Sequence, residues 1–383
     1  MTVIIHDATR LDADGIVEHF WLLAEGERIL ATGTGDGWRA SAPHDAEITN
    51  AGGAWLTPGF IDLHCHGGGG YDFDHTAEGI EAALRMHRSH GTTRAVLSLI
   101  ANPLSTLRGS LDVIAAVTDA DPLVLGSHLE GPFLAKARRG AHNAEYLRGL
   151  DNADIDGLLA AARGTLRQVT LAPELPGALD AIDEFVHNGI VVAIGHTEAS
   201  YATAREAFDR GARLLTHTFN GMPGIHHRAP GPIVAAFKDE RITLELILDG
   251  QHVHPDVARI AFRSAPGRVA LVTDAMAAAG ERDGDYRLGS LNVTVRDGLA
   301  VLSGTSTIAG STLTMDAALR AAVFDVGIDL VEAVTALTRT PARVLGRDTD
   351  FGTLAAGFAA DAVLLDEHFA VQSVWAGGSP VAG

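Results

Sequence analysis

From residue 60 onward the chain alternates short apolar runs with longer, alanine-rich stretches of helical period. The runs are FIDLH (60–64), AVLSLI (95–100), LVLGSH (123–128), QVTLAPE (168–174), IVVAIGH (190–196), RLLTH (213–217), ITLELILD (242–249) and RVALVTD (268–274). Each has the length of a buried strand. Stretches such as EGIEAALRMHRSHG and SYATAREAFDRG between them read as amphipathic helices. Gly91, Gly189 and Gly211 close several of these helices, as the residue that most readily takes a left-handed turn should. Eight buried strands separated by helices predict an α/β fold, a parallel (β/α)8 TIM-like barrel. A doubly wound open sheet is the alternative. It is disfavoured because polar residues recur at the C-terminal end of run after run, and a barrel brings those ends to one mouth.

The first and last parts of the chain follow a different pattern. VIIHDATRL, GIVEHFWLLAEGERILATG and AEITNAGGAWLTPG alternate apolar and polar positions between Gly and Asp turns, and the tail GTLAAGFAADAVLLDEHFAVQSVWAGG is again strand-like. We expect residues 1–56 and 347–383 to close a small β-sandwich domain from both chain ends, with the barrel over 57–346. After Asp274 a hairpin is expected in YRLGSLNVTVRDGLAVL, then helices in MDAALRAAVFDVG and LVEAVTALTRTPARVLG.

Composition narrows the class. A chain of 383 residues with 46% hydrophobic content can bury a large core. The net charge of −19 argues against a nucleic-acid-binding face, and an anionic substrate would need a local cluster of basic residues. The single cysteine, Cys65, excludes an internal disulfide and a cysteine-based zinc site. The N-terminus lacks the basic segment and apolar run of a signal peptide. No apolar stretch approaches the roughly 20 residues of a membrane span. A cytoplasmic protein of enzyme size is expected, without nucleic-acid or membrane partners.

The candidate chemistry starts in TPGFIDLHCHGGGG. Side chains alternate along a strand, so His64 and His66 share one face and Cys65 takes the other, a structural burial. Two imidazoles at a strand end make a pincer for a divalent metal, and the glycines are read as leaving room above it. Further runs end at Glu130, with His128 two residues earlier, and at His196, His217 and Asp274. Singly, each has a plainer reading as a satisfied core histidine or a helix-capping carboxylate. Five strand ends that each carry a ligand type point to one metal site. His6, His19, His44, His75, His87 and His90 are read as mostly surface residues.

PGFIDLHCHGGGG, HLEGPF, RRGAHN, GHT, THTFNGM, DGQHV, VTDA and TIAGS run along almost the whole chain. Together they resemble the N-acetylglucosamine-6-phosphate deacetylase family of the amidohydrolase superfamily. H-x-H and the final Asp are shared across the superfamily. HLEGPF, with glutamate where many relatives use a carboxylated lysine, is particular to this branch. The resemblance implies that Glu130, His196 and His217 hold the main ion. His64 and His66 would hold a second, with Glu130 bridging and Asp274 nearby. One or two divalent ions are implied, zinc first and iron, manganese or cobalt as alternatives. Asp274 is implied as the catalytic acid/base. His142, beside Ala141, would be the catalytic contact to the acetyl carbonyl and the sugar. Asn220, Gly221, Arg228, Asp249, His252 and the Ile308-Ala309 loop are implied in binding the sugar phosphate. Arg228 and His252 would reach the neighbouring site of a homodimer.

The residues themselves can carry out such chemistry. A divalent metal acidifies water and polarises a carbonyl. Asp274 can accept the water's proton and return it to the departing amine. Acetate and glucosamine 6-phosphate would result, in amino-sugar catabolism or cell-wall recycling. His226, His227 and Arg228 with His252 make a plausible phosphate grip, the alternative being a solvated polar loop. A cyclic-amide hydrolase or a deaminase is the rival activity, but those often carry a lysine on the fourth strand and QVTLAPE has none. A non-catalytic relative would be expected to have lost ligands, and none is missing.

Overall fold

The computed structural model describes residues 1–40, 42–74 and 76–381. The chain divides into two compact units. One contains Met1–Asp62, His87–Arg94 and Met315–Gly383; the other contains Leu63–Met86 and Ala95–Thr314.

The first unit is built on one eight-stranded sheet that both chain ends enter. Thr2–Asp12 pairs antiparallel with Gly15–Glu25, which pairs in turn with Arg28–Thr34. On the other side Thr2–Asp12 meets Trp55–Pro58, which pairs with Ala362–Leu365 from the tail. The two-residue alternation of these strands decides what each face buries. Val3, Ile5, Phe20, Leu22, Leu56, Leu364 and Trp375 form one apolar cluster. Ile4, Trp21, Leu23 and Trp38 form another. The result is the expected β-sandwich from both ends of the chain. LVEAVTALTRTPARVLG is two helices, Leu330–Leu337 and Arg339–Val344, because Thr338 leaves helical geometry at φ −131° and ψ −82°.

The second unit carries most of the barrel, whose first two strands begin in segments that belong to the first. The barrel strands are β1 (Phe60–Cys65), β2 (Thr92–Ile100), β3 (Val124–Glu130), β4 (Leu166–Leu171), β5 (Val191–Ile194), β6 (Leu214–Leu215), β7 (Thr243–Leu246) and β8 (Val269–Leu271). They form one sheet in sequence order. Beyond their ends, Asp274 N–H donates to the His64 carbonyl at 2.8 Å and His66 N–H to the Ala275 carbonyl at 2.8 Å, drawing the last strand to the first. Every residue of β2 and β3 is buried, which is why these strands read as continuous apolar runs and not as alternation. All eight expected strands are present. The expected hairpin gains a third strand: Gly284–Leu288, Leu291–Arg296 and Leu299–Leu302 make a small antiparallel sheet.

The four glycines after His66 do something more specific than leave space. Gly67–Gly68 pairs with Tyr71–Asp72 in a tight hairpin. A Cβ on Gly67 would lie 2.2 Å from the Tyr71 carbonyl oxygen, so the backbone approach admits only glycine. Of the histidines read as mostly surface, His19 and His44 are exposed, His6 and His90 half-buried and His87 buried; His75 lies outside the described residues.

Candidate metal centre and active site

The sequence places its ligand candidates at strand ends, and the structure brings them together. His64 lies in β1 and His66 follows it on the same face, with ring centroids 5.0 Å apart. Cys65 faces the other way, into the apolar cluster of Phe73, Ile80 and Leu84. Glu130 is the last residue of β3. His196, His217 and Asp274 follow β5, β6 and β8, and all three have positive φ, at 45°, 23° and 49°. At each of them the chain turns out of its strand in the left-handed region. Side chains other than glycine enter that region at a cost of about 1–3 kcal/mol, and such positions cluster at functional sites.

Glu130 sits at the centre. Its Oε1 is 3.1 Å from Nε2 of both His196 and His217. Its Oε2 is 3.3 Å from Nε2 of both His66 and His142. Asp274 Oδ1 lies 3.1 Å from His66 Nε2 and 3.5 Å from His64 Nε2. The Nε2 atoms of His64 and His66 are 3.1 Å apart, and those of His196 and His217 are 3.0 Å apart.

The other ring nitrogens fix the tautomers. His196 Nδ1 lies 2.7 Å from the Arg138 carbonyl oxygen and must donate to it. His64 Nδ1 lies 3.1 Å from Glu245 Oε2 and donates likewise. Each ring therefore aims an Nε2 lone pair at a carboxylate and another imidazole. Lone pairs facing anions at such distances need a cation between them. The groups His64, His66, Asp274 and Glu130, His142, His196 each gather three ligand atoms within 4.8 Å of one another.

The electrostatics state the same demand. Burial pulls the His64 and His66 pKa values down, yet the Glu130 and Asp274 carboxylates outweigh it. His64 ends well above the ordinary histidine value and His66 is pushed up to about 9. Burial raises Glu130 and Asp274, and the surrounding imidazoles more than reverse that, holding both far below the usual carboxylate range. Without a metal, protons would supply the missing positive charge; a divalent ion supplies it while the rings stay neutral. The donor set of imidazoles and carboxylates suits such an ion.

His142 differs. Burial pushes its pKa down to about 4, so it is neutral at pH 7. Its Nδ1 accepts a hydrogen bond from the Ala101 N–H at 3.2 Å. The remaining hydrogen is on Nε2, which faces the centre as a neutral donor.

A cavity of about 140 Å³ opens above these groups. Ala141, His142, Asn220, Gly221, His252 and Ile308 line it together with His66, Glu130, His196, His217 and Asp274. Asp249 is not part of the lining. Its Oδ2 takes the His252 Nδ1 hydrogen at 2.7 Å, and its Oδ1 accepts from the Gln251 and His252 N–H groups. Ala309 is also set back: it packs with Met276 and Leu288 while its neighbour Ile308 reaches the cavity. His252 lines the cavity of its own chain. Arg228 stands outside the lining, exposed, with Nη1 2.7 Å from His227 Nε2.

Two features escaped the sequence reading. Glu245, fully buried in β7, takes the His64 hydrogen. Its only sequence signal is a glutamate inside the apolar run ITLELILD. Gly140 and Gly221, with φ of 54° and 64°, flank the His196 ring, where a Cβ would come within 3.2 and 3.0 Å.

Residues 55–381 match the Amidohydrolase family. The chain belongs to this family. It is 40% identical over 343 residues to an N-acetylgalactosamine-6-phosphate deacetylase of Escherichia coli, covering 88% of this chain and 91% of that one. It is 38% identical to the N-acetylglucosamine-6-phosphate deacetylase of Bos taurus, covering 88% and 85%. A solved mutant of N-acetyl-D-glucosamine-6-phosphate deacetylase from Mycobacterium smegmatis, in complex with N-acetyl-D-glucosamine-6-phosphate, is 41% identical. It superposes with a TM-score of 0.93 over 100% of this chain and 99% of that one. This amidohydrolase is thus a hydrolase whose donor groups and family support a divalent metal. The rival cyclic-amide and deaminase readings are not favoured. Among the described residues no helix is long and apolar enough to cross a membrane.

Proposed function

We propose that this amidohydrolase removes the acetyl group of N-acetylglucosamine 6-phosphate, giving acetate and glucosamine 6-phosphate. The observation that carries the reading is the set of imidazole lone pairs converging on Glu130, with Asp274 and the neutral His142 beside them over one cavity. Glu130, His196 and His217 would hold one ion, and His64 and His66 a second next to Asp274. When bound, a divalent ion supplies Lewis acidity, polarising an amide carbonyl and acidifying water.

The chain's own groups supply the rest. Asp274 takes a proton from the attacking water and hands it to the amide nitrogen, because an amine cannot leave as an anion. His142 Nε2–H donates to the carbonyl oxygen as negative charge grows on it. Asn220, Gly221 and Ile308 would orient the sugar. His252, held by Asp249, would face the phosphate, and a charged imidazole there answers the difficulty posed by the −19 net charge.

Finer points belong to the same reading. The ion is zinc, for which this histidine and carboxylate set is suited. The chain works in the cytoplasm as a homodimer, with Arg228, exposed and outside its own cavity, completing the partner's phosphate site. A second substrate, the C4 epimer N-acetylgalactosamine 6-phosphate, is favoured by the 40% identity to the E. coli enzyme.

Acetate release from both phosphorylated sugars and from unphosphorylated N-acetylglucosamine tests the proposal. Turnover of a phosphorylated sugar, well above that of the free sugar, is expected. A metal-loaded protein that releases acetate from none of the three, or equally from the free sugar, would contradict it.

A further inference from the structure

The two halves of the centre orient a histidine by different means. His196 spends its Nδ1 hydrogen on a backbone carbonyl, whereas His64 spends it on the carboxylate of Glu245. Glu245 is wholly buried, and each of its oxygens is engaged. Oε2 accepts from His64 Nδ1 and, at 3.2 Å, from the His217 N–H. Oε1 accepts from Gln168 Nε2 at 3.0 Å. The carboxylate is thereby held in one rotamer beneath the His64 ring, and the ring in one tautomer above it.

We propose that Glu245 is a positioning residue that builds the second ion position. It keeps the His64 hydrogen on Nδ1, aims Nε2 toward His66 and Asp274, and adds a negative charge behind the ligand. The inference rests on the metal reading above and specifies what makes its second site. Glu130 and Asp274 line the pocket and Glu245 stands behind the His64 ring: three buried carboxylates, more negative charge than a single divalent ion neutralises. A carboxylate behind a ligating imidazole also strengthens that imidazole as a donor, and loss of such partners typically weakens metal binding roughly 10–100-fold. A neutral carbonyl, as behind His196, supplies direction without the charge.

A merely structural Glu245 would serve the His217 N–H and Gln168, and its loss would disturb both ion positions alike. The test is a metal titration of chelator-stripped full-length protein with zinc or cobalt against a competing chromophoric chelator. It compares the parent, Glu245→Gln and His64→Asn, with folding checked by circular dichroism. The parent is expected to take two ions. Glu245→Gln should keep the tighter one at parental affinity and bind the other roughly 10–100-fold more weakly, in the same direction as His64→Asn. If Glu245→Gln does not fold, Glu245→Asp, which keeps the charge and shortens the reach, should show the same one-sided weakening.

Two ions at parental affinity in the Glu245 variant would overturn the proposal, as would equal weakening of both. A parent that takes a single ion unaffected by His64→Asn would overturn it while leaving the metal reading intact. A parent that takes none would overturn both.

Discussion

The two halves of the centre differ in how the backbone delivers their ligands. His64 is part of β1 and His66 follows it on the same face, so regular alternation is enough to pair them. His196 and His217 come from separate strands, each past its strand end and each at positive φ. One half is a local device that any strand could carry. The other exists only when two strands lie side by side and the chain turns sharply after each. Glu130 joins the halves: its Oε1 faces His196 and His217 and lies 3.4 Å from His64 Nε2, and its Oε2 faces His66.

The sharpest break of this comparison is at the shared member. Glu130→Gln should empty both halves, reducing metal content and acetate release to background; retention of one ion would show that the halves stand independently. His196→Asn and His64→Asn should then separate. The first is expected to abolish the tighter ion. The second should leave one ion in place and weaken the other, as metal analysis per chain would show.

A smaller effect is expected from Gly221→Ala. The new Cβ would lie 3.0 Å from His196 Nδ1 at a φ of 64°, which costs about 1–3 kcal/mol and displaces the ring. Gly189→Ala is the control, with a φ of 74° but nothing within 4 Å of the new Cβ. Thermal melts should show both destabilised, with metal affinity lowered only in the Gly221 variant.

The mildest effect is on pH dependence. Burial lowers the His252 pKa, but the hydrogen bond and charge of Asp249 outweigh it and raise the value above normal. The imidazolium is present below the raised pKa and is lost as pH climbs through it. The KM for the phosphorylated sugar should therefore rise only above the ordinary histidine range. In Asp249→Asn the rise should begin at or below about 6.5, the unperturbed value. Identical KM profiles would remove His252 from phosphate binding.

The barrel was legible because its strands are buried on both faces and separated by helices, a signal that survives without any knowledge of pairing. The six ligand candidates were legible because each stands at the end of such a run. Glu245 was not, since it lies inside one: only the closed barrel shows that the interior face of β7 looks at His64. Nor could a strand pattern show that Ala309 turns into an apolar cluster while Ile308 reaches the cavity. Arg228 stood out for its chemistry, but its exposure in GIHHRAPG follows from loop geometry that the pattern does not encode.

The most direct measurement of the central claim is acetate release from N-acetylglucosamine 6-phosphate by Asp274→Asn, with metal content determined on the same sample. The amide keeps the size of the side chain but cannot carry the proton. Turnover should fall by roughly 10²–10⁴-fold with at least the Glu130–His196–His217 ion still bound. Parental turnover in the metal-loaded variant would contradict the assignment of Asp274 as the proton carrier and, with it, the proposed use of this centre.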